Sequence, residues 1–96
     1  MQKGYANIRD NEDYLEINCE DYDVEFFGGH DYEWEYSLNK ENRNKLEAAL
    51  RKEDGVTAAT LEDMITEFFG ACLDNYPFGE YCDQNGVQYN LWTWVS

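Results

Sequence analysis

YLEINCE, residues 14 to 20, is the stretch whose reading decides the fold. Leu15, Ile17 and Cys19 alternate with Glu16, Asn18 and Glu20. Strict alternation of apolar and polar residues predicts a half-buried β-strand, because successive side chains of a strand point to opposite faces. The same period runs on both sides of a glycine pair. DVEFF (23–27) sets Val24 and Phe26 against Asp23 and Glu25. DYEWEYSL (31–38) sets Tyr32, Trp34, Tyr36 and Leu38 against Asp31, Glu33 and Glu35. Gly28-Gly29 followed by His30 is a hairpin-turn signal. A further strand is expected upstream, over Lys3 to Arg9. Short links between strands favour an antiparallel meander.

After Asn39 the period changes. Asn39 is a good N-cap for a helix running to about Glu53, with Leu46, Ala49 and Leu50 as its apolar stripe and Gly55 as its stop. A second helix is expected to begin near Thr57 or Thr60 and to run to about residue 74. Thr60 and Asp63 form a variant of the capping box, with Asp in place of the preferred Glu or Gln. Leu61, Ile65, Phe68 and Cys72 would face the sheet. Gly70 inside that helix would cost about 1 kcal/mol relative to Ala. The chain then turns through NYPFG, turns again at Asn85-Gly86, and closes with a strand over VQYNLWTWV (87–95). The expectation is an α+β fold. One antiparallel sheet of four to five strands carries two α-helices on one face, in the order β-β-β-β-α-α-β. Ninety-six residues suit one domain with a modest core.

Charge narrows the function classes. The chain has 21 acids against 7 bases, a net charge of −14, where solubility of a small domain needs a magnitude of only about 2–8. Nucleic acid and anionic membrane, both polyanions, are disfavoured as direct partners; a basic protein is favoured. The charge is also segregated. Residues 10 to 39 hold eleven acids and no base, whereas residues 40 to 52 hold five of the seven bases. Cys19, Cys72 and Cys82 are odd in number and lack C-x-x-C spacing, which predicts reduced thiols in a cytoplasmic protein. MQKGYANIRDNEDY has no apolar stretch of the signal-peptide type.

If the helices cover the Leu15, Val24, Phe26 and Trp34 side, then Glu16, Glu20, Asp23, Glu25, Asp31, Glu33 and Glu35 share the open side. They would form a lysine-free grid of negative charge, spaced roughly 7 Å along a strand and roughly 4.8 Å between strands. Duplex DNA offers its own regular array of phosphates, so a protein built to hold that array is a fitting partner for the grid. The rival reading is a solvated sheet face. In the last strand, Trp92 and Trp94 fall on the side opposite Val87, Tyr89 and Leu91. They are either core or self-association residues, or exposed anchors for a partner. No cofactor or metal is expected. One histidine, His30, cannot build a conventional zinc site. The run Asp21, Asp23, Glu25 starts like a calcium loop but has Phe26 where Gly is required and Tyr32 where Glu is required. Carboxylates on an open sheet lack the burial that tunes an acid or base, and no nucleophile, Walker or dinucleotide motif is present. An enzyme is not expected.

In size, acidity and α+β layout the chain resembles small acidic inhibitors made by phages and mobile elements: anti-CRISPR proteins, anti-restriction proteins and uracil-DNA glycosylase inhibitors. It is similar in the same respects to immunity proteins that neutralise nuclease toxins. The likeness involves no motif and carries over no residue. It implies an inhibitor that fills the nucleic-acid site of a basic enzyme, a CRISPR-associated nuclease being one such target, with carboxylates standing in for phosphates. The alternatives are a scaffold module that self-associates, as a homodimer, through its aromatic last strand, and a housekeeping domain whose charge serves solubility alone.

Overall fold

The computed structural model describes residues 4–21, 32–70, 73 and 76–95. The elements run β1 (Gly4–Asp10), β2 (Tyr14–Asp21), β3 (Tyr32–Asn39), α1 (Lys40–Arg51), α2 (Leu61–Phe69), α3 (Phe78–Gln84) and β4 (Asn90–Val95). All four strands pair antiparallel in the spatial order β1-β2-β3-β4. The α+β expectation is met. The helices all lie between β3 and β4, and they number three among the described residues. The strand expected over 23–27, the turn at Gly28-Gly29 and His30 lie outside the described residues.

The alternation in the second and third strands turns out as read. Leu15, Ile17, Cys19 and Leu38 are fully buried on one face of the sheet. The helical layer closes over them with Leu46 and Leu50 of α1, Leu61, Met64, Ile65 and Phe69 of α2, and Phe78, Tyr81 and Cys82 of α3. β1 and β2 are joined by residues 11–13. Asn11 N–H donates to the Tyr14 carbonyl at 3.0 Å, and Glu12 takes a left-handed φ of +53°. A three-residue hairpin loop requires such a residue.

α1 begins where predicted. The Asn39 side chain accepts the Asn42 N–H at 3.0 Å, satisfying one of the orphan donors of the first turn. α1 ends at Arg51 with Lys52 as its C-cap, before the expected stop at Gly55, which takes φ +88° in the turn beyond. Thr60 caps α2 through Asp63 N–H at 3.2 Å.

Three expectations need correction. α2 ends at Phe69, and Gly70, at φ +88°, is its C-cap rather than an interior residue. Its buried stripe is therefore Leu61, Met64, Ile65 and Phe69, with Phe68 only partly buried; Cys72 lies outside the described residues. The region expected to be only a turn, around Pro77, starts α3. Pro77 occupies the N-cap, and Phe78, Tyr81 and Cys82 are buried at i, i+3 and i+4. Asn85-Gly86 then forms the exit from α3, with Gly86 at φ +69°. The last strand starts at Asn90, and residues 87–89, expected to begin it, carry no strand pairing.

An aromatic cluster joins α2, α3 and the sheet. Tyr36 meets Phe78 with ring centroids 4.6 Å apart, and Phe68, Phe69 and Tyr76 pack around Tyr81. The Tyr81 hydroxyl donates to Glu53 Oε2 at 2.8 Å, which ties α3 to the end of α1. Burial and this carboxylate both push the Tyr81 hydroxyl up from its ordinary value. Tyr89 lies against Gly79, where a Cβ would stand 2.5 Å from its hydroxyl oxygen.

Candidate functional site

The face of the sheet turned away from the helices is built row by row from the strand register. Arg9, Glu16, Ser37 and Asn90 form one row. Asn7, Asn18, Glu35 and Trp92 form the next. In the third, Glu20 stands opposite Glu33. Directly opposed residues share a face of the sheet. Glu16 and Glu20 on β2 therefore interleave with Glu35 and Glu33 on β3, and the four carboxylates follow a zigzag along the centre of the face.

Four of the nine residues singled out from sequence, Glu16, Glu20, Glu33 and Glu35, are thus brought together. Trp92 joins them beside Glu35 and is 52% exposed. The backbone of Trp94 pairs opposite Glu33. Asp23, Glu25 and Asp31 lie outside the described residues. The face carries no lysine among the described residues, but it is not free of cations. Arg9 stands opposite Glu16, with Nη1 3.8 Å from Oε1, and its side chain is 79% exposed. The strand expected over Lys3 to Arg9 includes this arginine, but which face it takes follows only from the β1–β2 register.

A groove of about 570 Å³ runs along one side of the acidic rows, bounded by Asn7, Arg9, Glu16, Asn18, Glu20 and Glu35. It continues around β1 to Glu62 and Thr66 of α2. Glu62 is a fifth carboxylate that sequence reading missed. Its only sequence signal is its place in the first turn of α2, a normal position for an acid. A second depression, of about 590 Å³, lies where α3 leads into β4 and is walled by Asn39, Asn42, Gln88 and Asn90. Its amides serve the fold. Asn42 Nδ2 donates to Asn39 Oδ1 at 2.8 Å, and Asn42 Oδ1 accepts Gln88 N–H at 2.8 Å.

Most of the bases of the 40–52 stretch lie on α1, away from this face, and are paired with acids. Arg43 of α1 grips Asp10 with two parallel bonds of 2.7 Å and reaches Glu47 at 2.9 Å. The guanidinium holds the Asp10 carboxyl below its usual range, while the same bonds push Arg43 upward. Arg51 shares Glu47 at 2.9 Å, and Lys45 pairs with Glu41 at 3.2 Å. Lys40, Arg43, Lys45 and Arg51 thus pair within α1 or with the acids near the β1–β2 turn, leaving the open face with a net negative surplus. Among the described residues, no group of three or more His, Cys, Asp or Glu is arranged to hold a metal ion. The Cys19 and Cys82 thiols are buried, and burial pushes Cys82 up to about 12. No described helix is long and apolar enough to cross a membrane.

No family model matches the chain, and neither the curated proteins nor the solved structures contain a match to it.

Proposed function

We propose that this chain is an acidic inhibitor whose open sheet face occupies the basic, nucleic-acid-holding site of a nucleic-acid-processing enzyme. One observation carries the reading: Glu16, Glu35, Glu20 and Glu33 interleave on the face turned away from the helices, with exposed Trp92 at its margin. A rigid sheet holds such carboxylates at spacings of about 5–7 Å. They present fixed acceptors for Arg and Lys at little cost in ordering. Trp92 supplies the large, stiff apolar contact that interface centres favour. The chemistry at the face is charge pairing and hydrogen bonding by half-buried carboxylates. The inhibition is competitive, with DNA or RNA and the acidic face exchanging for the same cations. Nucleases of bacterial defence, the CRISPR-associated ones included, are the target class that this chemistry suits.

The test uses two immobilised proteins, the wild type and a variant carrying Glu16→Gln, Glu20→Gln, Glu33→Gln and Glu35→Gln. Purified nucleases from the defence systems of a bacterial host are passed over both. The wild type is expected to retain an enzyme that duplex DNA or RNA displaces and that the variant releases. Each charge pair lost from an interface costs about 2–5 kcal/mol, so inhibition should fall by orders of magnitude. Equal retention by the folded variant would sink the proposal.

A further inference from the structure

The outer side of β4 is a second surface, next to the acidic rows. β4 pairs with β3 on one side only and stands at the end of the sheet. Among the described residues nothing pairs with its other side. Every second residue of such a strand turns an N–H and a C=O outward. Natural sheets usually block an edge with charge, proline or a covering element. NLWTWV has no charged residue, no proline and no glycine. The opposite edge, β1, carries Arg9 and Asp10 and has α2 against it. Asn90, Leu91, Trp92 and Thr93 are all exposed; Leu91 is 48% and Trp92 52% accessible. Leu91 belongs to the helix side of the sheet, opposite Tyr36, whereas Trp92 belongs to the acidic side, opposite Glu35.

We propose that β4 receives an extended segment of the basic partner as a fifth strand, alternating arginine with β-branched apolar residues. The proposal rests on the acidic-face reading above and gives it a binding mode. Charge complementarity selects the occupant. A strand added beyond β4 lies about 4.8 Å from Trp92 and about 10 Å from Glu35. An arginine on its acidic side crosses the Trp92 ring, where a guanidinium is attracted by the aromatic face, and directs its charge toward Glu35. The alternate side chains fall on the other side, where apolar residues cover Leu91. Main-chain bonds to the edge hold the segment, and the two faces of β4 choose its pattern.

Two end-blocked hexapeptides of equal composition and charge test this. One alternates arginine and valine; the other places three valines before three arginines. Each is titrated into the isotopically labelled protein at low salt, with amide exchange followed along β4. The alternating peptide is expected to bind about tenfold tighter or more, and to slow exchange at every second amide of β4. Equal affinities with unchanged β4 exchange overturn strand addition while leaving the acidic face standing as a binding surface. Failure of both peptides to bind overturns both readings. Slow β4 exchange before any peptide is added, varying with protein concentration, overturns the proposal in favour of a second copy on that edge.

Discussion

Asp10 shows how a single carboxylate can hold a fold together while its neighbours on the open face do not. It ends β1, and its two oxygens accept from Arg43 Nε and Nη2, both at 2.7 Å, while Oδ1 also accepts the Glu12 N–H at 3.2 Å. One residue thus joins the hairpin turn to α1. Hydrogen bonds to charged groups contribute roughly 1.5–3 kcal/mol, so Asp10→Asn should destabilise by about that amount in denaturant unfolding. The pH dependence has a definite sign. The folded carboxyl lies below its ordinary value of 3.8. Its contribution is therefore complete above that value and disappears as pH falls through the lower folded one. Acid unfolding followed by circular dichroism should show wild type and Asp10→Asn converging at low pH. A constant gap between them would remove the Arg43 pairing as the cause.

Among the elements, α1 is the joint of the molecule. It leaves β3 without a linker, and Asn39 is both the last residue of the strand and the cap of the helix. Asn42, buried in the first turn, extends that cap to the Gln88 N–H in the lead-in to β4. Asn39→Ala removes an N-cap worth about 0.5–2 kcal/mol. Asn42→Ala leaves a backbone donor without its acceptor, at about 1–3 kcal/mol. Because both act through one network, the double variant should cost less than the sum of the two. Strict additivity in thermal unfolding would show that the two amides act separately. The Asn42 change should also speed amide exchange at Gln88, a signature that simple loss of helix capping lacks.

At the scale of the whole molecule, the net charge of −14 sets folding against itself. Glu20 directly opposite Glu33 is unfavourable by a fraction of a kcal/mol, and the diagonal neighbours Glu16 and Glu35 add to it. Salt should therefore raise the melting temperature of the free protein as screening shortens the Debye length from about 30 Å at 0.01 M to about 3 Å at 1 M. The Glu16, Glu20, Glu33 and Glu35 to Gln variant should melt higher at low salt and respond less to added salt. A complex formed through the acidic face should show the opposite sign and weaken as salt rises. If wild type and variant have the same salt response, repulsion on this face is not a determinant of stability.

Local periodicity was enough for much of this architecture. The alternation in YLEINCE and DYEWEYSL and the cap at Asn39 each depend on a few neighbouring residues, so β2, β3, the start of α1 and the acidic side chains of β2 and β3 could be read directly. α3 could not. Seven residues with a glycine at the second position carry little helical preference of their own, and the element exists because Phe78, Tyr81 and Cys82 find a core to enter. The end of α2 escapes local pattern for the converse reason: the i, i+4, i+7 spacing points to Phe68, but Phe69 fills the core and Gly70 turns the chain away. Strand register also lies beyond local pattern, because it pairs residues distant in sequence. It alone places Arg9 across from Glu16 and Trp92 beside Glu35. The sequence by itself determined the two-sided strands and the excess of acid. The tertiary structure decided which acids meet, which base borders them and which strand is left at the edge, because those depend on pairing and packing between segments far apart in the chain.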